Sequence, residues 1–414
     1  MAYALSQPRT ALFDLSADVE ALGVFKPNRE APFHRWVHLT EGFSARLVAA
    51  ELANDPDARL VYDPFGGTGT TPLVAAEMGR HGTWAEVNPY LREAATIKVE
   101  AACADPEQRQ EIVATLRRLL QLGPIVDQDA DGQHPLAIAN EARDFFSDEA
   151  LAELLGWLRR FDTATGLARR VGLLSVATSA IHASNMKRAV DLRRRTEKEM
   201  LQSRPAVSEA VQERVSLMIS DLNSTPVAEG SATNVSTDAR TLPEDFGPIE
   251  LVVTSPPYLN GTNYCRNTKL ELLLLSLIQN EDGLMDIRSR SVTAGINNVS
   301  KRIREPTLIP AVEEVALKLD ECAYDVRIPK MVRAYFSDMQ IVMGTTRSAM
   351  KPGGRMVLDI GDSRFAGVHI DVPTLLSRIA EDGGWEIEDV EVIRNRVSKD
   401  GNPLCQKLLR LCSR

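Results

Sequence analysis

The stretch LVYDPFGGTGTTPLVAAEMG, residues 60–79, decides the fold class of this chain. Leu60, Val61 and Tyr62 form a short apolar run typical of a buried strand, and a glycine-rich turn follows them. The segment TPLVAAEMG at 71–79 has the composition of a helix that ends at Gly79. A strand, a glycine turn and a helix in this order indicate the first unit of a doubly wound α/β sheet.

The flanking segments continue this unit. Residues 34–50 place Phe43, Leu47 and Val48 at helical spacing, which predicts a helix before the strand. HGTWAEVNPYL at 81–91 predicts a second strand that ends in an acid and an Asn-Pro turn, and the following residues predict another helix. The N-terminal part of the chain is therefore predicted to alternate strands and helices.

The alternation stops after this unit and returns later. Residues 104–230 are rich in Ala, Leu, Glu and Arg at helical spacing, which predicts a helical insertion. Strand patterns return at 249–258, 353–363 and 385–397, and the last pairs with 405–413 as a predicted antiparallel hairpin. We therefore predict an α/β, Rossmann-like sheet that is mostly parallel, with a C-terminal antiparallel hairpin and a second, smaller insertion at 280–330.

Composition limits the class of protein. The chain has 414 residues, of which 44% are hydrophobic and 25% charged, so it has enough apolar material for a folded core. Its longest apolar run, 270–278, is too short for a membrane helix, and no secretory signal is evident, so we expect a cytoplasmic protein. The five cysteines lack metal or disulfide spacing, so no metal site is expected. With a formal net charge of −9, contacts to nucleic acid would need local basic patches.

The first motif is DPFGGTGTT at 63–71. Its glycines let the backbone approach a ligand closely, and the helix that follows offers free N–H groups, as a nucleotide-like ligand requires. The motif lacks the lysine of a phosphate-binding loop and the spacing of a dinucleotide site, which argues against an ATPase or a dehydrogenase. Glu86 closes the second strand about 20 residues later, where such folds place the acid that binds ribose hydroxyls.

The second motif is TSPPY at 254–258, directly after an apolar strand. Two successive prolines fix the backbone and leave carbonyl acceptors beside a hydroxyl group and an aromatic face. Such a rigid loop is suited to hold a planar amino group.

The two motifs together resemble those of the S-adenosylmethionine-dependent DNA amino-methyltransferases. The resemblance implies that the glycine motif binds S-adenosylmethionine and that the Pro-Pro loop holds the exocyclic amine to be methylated. It extends to residues 34–47, to Glu86–Pro89, to Asp238–Arg240 and to 353–364. The site residues that it implies are, for catalysis, Ser255, Pro256, Pro257 and Tyr258, and, for the cofactor, Asp63, Pro64, Phe65, Gly66, Gly67, Thr68, Gly69, Thr70, Glu86, Asn88, Asp238, Ala239 and Trp36.

The resemblance also implies a division of the chain. The expected parts are a cofactor-binding half at 1–103, a helical insertion at 104–230, a catalytic half at 231–279, the second insertion at 280–330 and the remainder of the domain at 331–414. Either insertion is a candidate for DNA recognition. The glycine motif precedes the catalytic loop, the reverse of the commonest Ser-Pro-Pro-Tyr enzymes, but the two motifs need only neighbouring strand ends.

The implied chemistry is methylation of a base that has been flipped out of double-stranded DNA. The Ser form of the loop is found mostly in enzymes that make N4-methylcytosine, so this product is expected, within a restriction-modification or defence system and beside a cognate endonuclease. Ser255 and the Pro256 carbonyl are expected to accept the two amino hydrogens, Tyr258 to stack on the base, and Phe65 and Trp36 to face the sulfonium. Candidate DNA contacts are Arg266, Arg288, Arg290, Lys301, Arg302, Lys187, Arg188, Arg193 and Arg194.

Three alternatives remain open from the sequence. The target could be the N6 amine of adenine, or the polymer could be RNA, although no appended RNA-binding module is evident. A catalytically silent nucleic-acid-binding subunit is the third, but intact motifs around Gly67, Glu86, Asp238 and Ser255 argue against it.

Overall fold

The structure is a computed structural model that describes residues 13, 19–38, 42–125, 140–189, 191–259, 264–299, 306–398 and 401–414. Its strands are β1 (Leu60–Asp63), β2 (His81–Ala85), β3 (Met186–Lys187), β4 (Arg193–Arg194), β5 (Ser231–Ser236), β6 (Ile249–Thr254), β7 (Met350–Gly361), β8 (Ser363–Phe365), β9 (Val368–Ile370), β10 (Trp385–Val397) and β11 (Pro403–Ser413). Its helices are α1 (Ala45–Asn54), α2 (Thr70–Glu77), α3 (Pro89–Cys103), α4 (Pro106–Leu122), α5 (Asn140–Arg143), α6 (Asp148–Asp162), α7 (Gly166–Ala183), α8 (Glu197–Met200), α9 (Val207–Ser224), α10 (Tyr264–Asn267), α11 (Lys269–Leu274), α12 (Glu281–Arg290), α13 (Pro310–Cys322), α14 (Arg327–Ser348) and α15 (Val372–Asp382).

The main sheet has the strand order β10-β11-β7-β6-β1-β2-β5 among the described residues. The strands from β7 to β5 run parallel, whereas β11 is antiparallel to both β7 and β10. From β1 the chain moves to β2 and β5 on one side, and it later returns to form β6 on the other side of β1. The strand order therefore reverses between β1 and β6, which is where open α/β sheets bind their ligands.

Both faces of this sheet are covered, which explains the nearly continuous apolar runs in its central strands. Val61 of β1 packs in one buried cluster with α1 and α2. The next residue, Tyr62, points to the opposite face and packs in a second buried cluster with α14 and α15. The two cores hold the ends of β1 and β6 in a fixed relation.

A third buried cluster joins the helices of the 104–230 segment to the sheet domain. Trp157 and Phe161 of α6 stack with ring centroids 5.7 Å apart, and Val171 of α7 and Val215 of α9 are buried in the same cluster. This cluster also contains Leu73 of α2 and Leu91 of α3. The helices therefore share a core with the helices that follow β1 and β2.

The structure confirms the predicted fold class, including the parallel central strands and the β10–β11 hairpin. Two local features differ from the expectation. The helix expected over 34–50 begins only at Ala45, because the Ser44 side chain caps it by accepting from the Arg46 backbone N–H. Strand β5 was not predicted, because SATNVS is polar and lies at the sheet edge beside β2, where alternating apolar residues are not required.

The proposed division of the chain into parts remains a prediction. In the part of the chain that the structure describes, none of the helices has the length and apolar character needed to cross a membrane.

Candidate active site

The two motifs meet at the carboxyl ends of adjacent strands. β1 and β6 pair in parallel with Tyr62 opposite Val252, so that Asp63 and Thr254 end the two strands side by side. The Thr254 hydroxyl donates to Asp63 Oδ1 at 2.6 Å, and the Phe65 backbone N–H donates to the same oxygen at 2.9 Å. Asp63 therefore links, through hydrogen bonds, two motifs that are far apart in the sequence.

One crevice is lined by residues of both motifs. It contains most of the predicted site residues, namely Pro64, Phe65, Gly66, Gly67, Thr68, Thr70, Glu86, Asn88, Asp238, Ala239, Ser255 and Pro257. Gly69, Pro256 and Tyr258 adjoin these residues in the chain but do not line the crevice. Asp63 is 1% exposed and does not line the crevice, so its contact with the cofactor remains a prediction.

The glycine loop takes a conformation that glycine favours. Gly67 and Gly69 have φ angles of 51° and 81°, in the left-handed region. A Cβ atom at Gly69 would lie 2.7 Å from the Cβ of Ala95 on α3, so a side chain there would push α2 and α3 apart. The glycines thus allow the loop to turn tightly between β1 and α2.

Glu86 is fixed at the other wall of the crevice. Its Oε2 accepts from the Gly67 backbone N–H at 2.9 Å, and its Oε1 accepts from the Asn88 backbone N–H at 2.7 Å. Burial raises the pKa of this carboxyl to about 7, although the two amide hydrogen bonds act in the opposite direction. A carboxylate held in this way keeps lone pairs available for the vicinal hydroxyls of a ribose.

Asn88 is more a structural residue than a free ligand-binding group. Its Oδ1 caps α3 by accepting from the Tyr90 and Leu91 backbone N–H groups, and its Nδ2 donates to the Thr268 hydroxyl at 2.8 Å. It lines the crevice, but its polar atoms hold α3 against α11.

The wall at Asp238 is built around Arg240. The guanidinium binds both oxygens of Asp238, at 2.8 and 2.9 Å, and also donates to Asp338 Oδ1 at 3.0 Å. It further donates to the Arg290 carbonyl at 2.8 Å. Arg240 therefore joins the end of β5 to α14 and to the segment 290–298, which begins at the last residue of α12.

That segment belongs to the crevice, which the sequence did not predict. Arg290, Ser291, Val292, Ala294, Gly295 and Asn298 all line it. The Thr293 backbone N–H and hydroxyl both donate to Asp338 Oδ2 at 3.0 Å, which anchors the segment on α14. Arg290, predicted as a DNA contact, is thus placed beside the predicted cofactor residues.

The catalytic loop carries a polar cluster centred on Asp359 of β7. Tyr258 Oη donates to Asp359 Oδ1 at 3.0 Å, and Gln406 Nε2 of β11 donates to the same oxygen at 2.7 Å. The Ser255 side chain is close enough to Asp359 and Tyr258 to lower the pKa of both groups. The Arg396 guanidinium lies 5.6 Å from the centroid of the Tyr258 ring, so a stacked base could use only the opposite face.

Asp359 was missed by the sequence analysis. It is 1% exposed, and burial raises its pKa to about 6 against the hydrogen bonds of Gln406 and Tyr258. Its signal was present in the sequence, because an acid inside the apolar run MVLDIG must be paired or functional when the strand is buried.

Trp36, which was predicted to face the sulfonium, does not line the crevice. Trp36 is fully buried, and its Nε1 donates to Asp221 Oδ2 of α9 at 2.8 Å. Phe25 and Phe43 line the crevice instead. The indole has its own buried acceptor, which holds it in the core among the helices.

The predicted DNA contacts fall into different environments. Lys187 and Arg193 both pair with Glu199. Arg188 pairs with the fully buried Glu271, so Arg188 stabilises the protein core. Arg194 is exposed on β4. Arg266 and Arg288 line a second cavity, next to the crevice. Lys301 and Arg302 lie outside the described residues.

No protein-family model matches the chain. It is 23% identical over 427 residues to the Type II methyltransferase M.AvaI of Nostoc sp. (strain PCC 7120), covering 94% of this chain and 87% of that protein. It is 21% identical over 433 residues to the Type II methyltransferase M.BsoBI of Geobacillus stearothermophilus, covering 90% of this chain and 82% of that protein.

Among solved structures, a SAM-dependent methyltransferase from Methanosarcina mazei is similar with a TM-score of 0.31 and 8% identity, covering 86% of this chain and 93% of that chain. A likeness this low adds no argument. The crevice does fit the cofactor, because an acid for ribose, a close glycine backbone and apolar walls are all present. The similarity to type II methyltransferases over most of both chains supports a methyltransferase that uses S-adenosylmethionine.

Proposed function

We propose that this chain is a DNA methyltransferase that transfers a methyl group from S-adenosylmethionine to an exocyclic base amine, with N4 of cytosine as the target. The observation that carries the proposal is the shared crevice, in which Gly67 and Glu86 face the same space as Ser255 and Pro257. The named relatives, which are type II methyltransferases, favour DNA as the polymer and a restriction-modification setting with a cognate endonuclease.

The amine needs activation, because its lone pair is delocalised into the ring. In our proposal the Ser255 hydroxyl and the Pro256 carbonyl accept the two amino hydrogens, which localises the lone pair and aims it into the crevice. S-adenosylmethionine, when bound, supplies an electrophilic methyl carbon. The rigid Pro-Pro backbone keeps both acceptors in place.

The proton of the amine also needs an acceptor after the methyl group is transferred. Asp359 accepts a hydrogen bond from Tyr258 and lies near Ser255, and its raised pKa of about 6 suits a carboxylate that takes up a proton near neutral pH. We assign Asp359 as this acceptor, through Ser255. Tyr258 then has a defined part as the group that orients Asp359, while its stacking on the base stays a prediction.

The choice of N4-methylcytosine rests on the serine at the first position of the loop, which resembles the enzymes that make this product. The target amine lies inside a duplex, so the proposal requires that the nucleotide is flipped into the crevice. Unstacking costs a few kcal/mol, which contacts in the pocket must offset.

The proposal is tested by incubating the protein with isotopically labelled S-adenosylmethionine and either duplex DNA or RNA. We expect label in DNA, recovered as N4-methylcytosine after enzymatic digestion to nucleosides, and none with a Ser255→Ala variant. Recovery as N6-methyladenine would correct the target base, label in RNA would correct the polymer, and no label with intact cofactor binding would indicate a silent binding subunit.

A further inference from the structure

A second cavity, called here the basic cavity, lies next to the transfer crevice, and four cationic side chains line it. Arg266 of α10, Lys269 of α11, Arg288 of α12 and Arg327 of α14 all line it. Glu281 is the acidic side chain among the described residues of its lining. Cations supplied by four separate helices make a convergent site, in contrast to a single charged helix face.

The crevice and the basic cavity are lined by residues that are neighbours in the chain. Cys265 lines the crevice, and the next residue, Arg266, lines the cavity. In the same way, Asn298 lines the crevice and the residue before it, Asn297, lines the cavity. Arg288 also acts electrostatically on Cys265, which places its positive charge close to the crevice. The crevice and the cavity therefore lie on either side of the same stretches of backbone.

Three of the four cations are already neutralised. Arg266 pairs with Asp191 at 2.8 Å, Arg327 pairs with Asp325 at 2.7 Å, and Lys269 pairs with Glu281 and Glu141. The charge of these three residues is already compensated, so an anion in the cavity depends chiefly on the fourth cation.

Arg288 differs from the other three. Within the part of the chain that the structure describes, it has no carboxylate at ion-pair distance, and its buried Nε has no hydrogen-bond partner. A guanidinium nitrogen that is buried without a hydrogen-bond partner is unfavourable, and an anionic oxygen that accepts from it relieves this cost. The cavity therefore has one cationic side chain with an unused hydrogen-bond donor, which also acts electrostatically on Glu281.

We propose that the basic cavity binds a backbone phosphate next to the flipped nucleotide, with Arg288 as the principal donor. This inference rests on the proposed function, since it identifies how the same site holds its DNA substrate. The phosphates that flank a nucleotide are attached to its own sugar, so a cavity beside the crevice is where one of them would lie. Phosphate contacts position a nucleic acid without reading its sequence, so Arg288 is a binding and positioning residue.

The test uses a fluorescently labelled duplex that contains the site methylated by the wild-type protein. Binding is measured by anisotropy over a series of salt concentrations for the wild type, Arg288→Ala, Arg288→Lys and the control Arg117→Ala. Arg117 is an exposed arginine of α4 that does not line the cavity. We expect Arg288→Ala to weaken DNA binding roughly 10-fold and to reduce the salt slope by about 1. Arg288→Lys should recover part of the loss, and Arg117→Ala should behave as wild type.

A second arm locates the phosphate. Duplexes with a neutral methylphosphonate at single linkages beside the target base are compared with the wild type and with Arg288→Ala. We expect one linkage whose neutralisation weakens the wild type but has no further effect on Arg288→Ala. Additive losses at every linkage, or an Arg288→Ala variant that binds as the wild type does, would overturn the inference.

A third arm separates this ligand from the cofactor. Calorimetric titration with S-adenosylmethionine should give the same affinity for wild type and Arg288→Ala. An equal loss of cofactor affinity would assign the arginine to the cofactor carboxylate and would also overturn the inference. If the wild type transferred methyl groups normally while Arg288 had no effect, only this inference would fail; if it transferred none to DNA, the proposed function would fail with it.

Discussion

Ser255 is the residue on which the proposed chemistry depends most directly. Its hydroxyl is expected to accept an amino hydrogen in the transition state and to contribute little to cofactor binding. Ser255→Ala should therefore lower kcat by about 100-fold or more, with the affinity for S-adenosylmethionine unchanged in a calorimetric titration. Ser289→Ala on α12 removes a serine that only bonds its own helix backbone and is the matched control. Equal turnover by the two variants would contradict the role of Ser255.

Asp359 gives the reaction a predicted dependence on pH. A carboxyl group accepts a proton only when ionised, and burial raises the pKa of Asp359 to about 6. The rate of methyl transfer should therefore fall as the pH is lowered through about 6, the pKa of this carboxyl. In Asp359→Asn the rate should be lower at every pH, and this acidic limb should disappear. A variant that kept the same limb would show that another group titrates.

The burial of Glu86 should make the stability of the cofactor-free protein depend on pH. Its pKa is raised from 4.5 to about 7, so the folded state favours the protonated form. The associated stability is present below pH 4.5 and is lost as the pH rises through about 7. Replacement by the uncharged Gln should thus be less destabilising, or more stabilising, at about pH 8 than at about pH 5, which urea unfolding at the two values measures. The opposite ranking would mean that Glu86 is stabilised as a carboxylate.

At the scale of elements, the glycine loop sets the distance between α2 and α3. Gly69 and Gly79 both have positive φ, at 81° and 74°, but only Gly69 would bring a Cβ against a neighbour, Ala95. Alanine at either position should cost about 1 kcal/mol for the left-handed backbone. Gly69→Ala should cost more and should also weaken cofactor binding, because the clash moves the loop. Thermal unfolding and cofactor titration of both variants measure the difference, and equal effects would rule out the packing explanation.

The elements also show what the sequence can and cannot predict. The central strands and the C-terminal hairpin were predictable, because burial on both faces leaves apolar runs bounded by turns. β5 was not, because a polar edge strand has no such pattern. The crevice was predictable at its two motifs, whereas Phe43 could not be preferred over Trp36, since both are aromatic residues in one segment and only tertiary packing decides which is buried.

At the scale of the whole molecule, the site depends on segments that are distant in the chain. Asp63 and Thr254 join two strands that are far apart in sequence, and Asp359 and Gln406 bring the C-terminal hairpin to the catalytic loop. Arg240 connects the crevice wall to α14 and to the segment after α12. The sheet therefore supplies the geometry, and the segment at 290–298 completes the crevice from outside it.

The central claim is that these segments assemble one site for methyl transfer to a base amine. The most direct measurement is mass spectrometry of nucleosides from duplex DNA that has been incubated with the protein and isotopically labelled S-adenosylmethionine. The account predicts labelled N4-methylcytosine from the wild type and none from Ser255→Ala. Label in DNA at a position other than an exocyclic amine, or equal label from the two proteins, would contradict it.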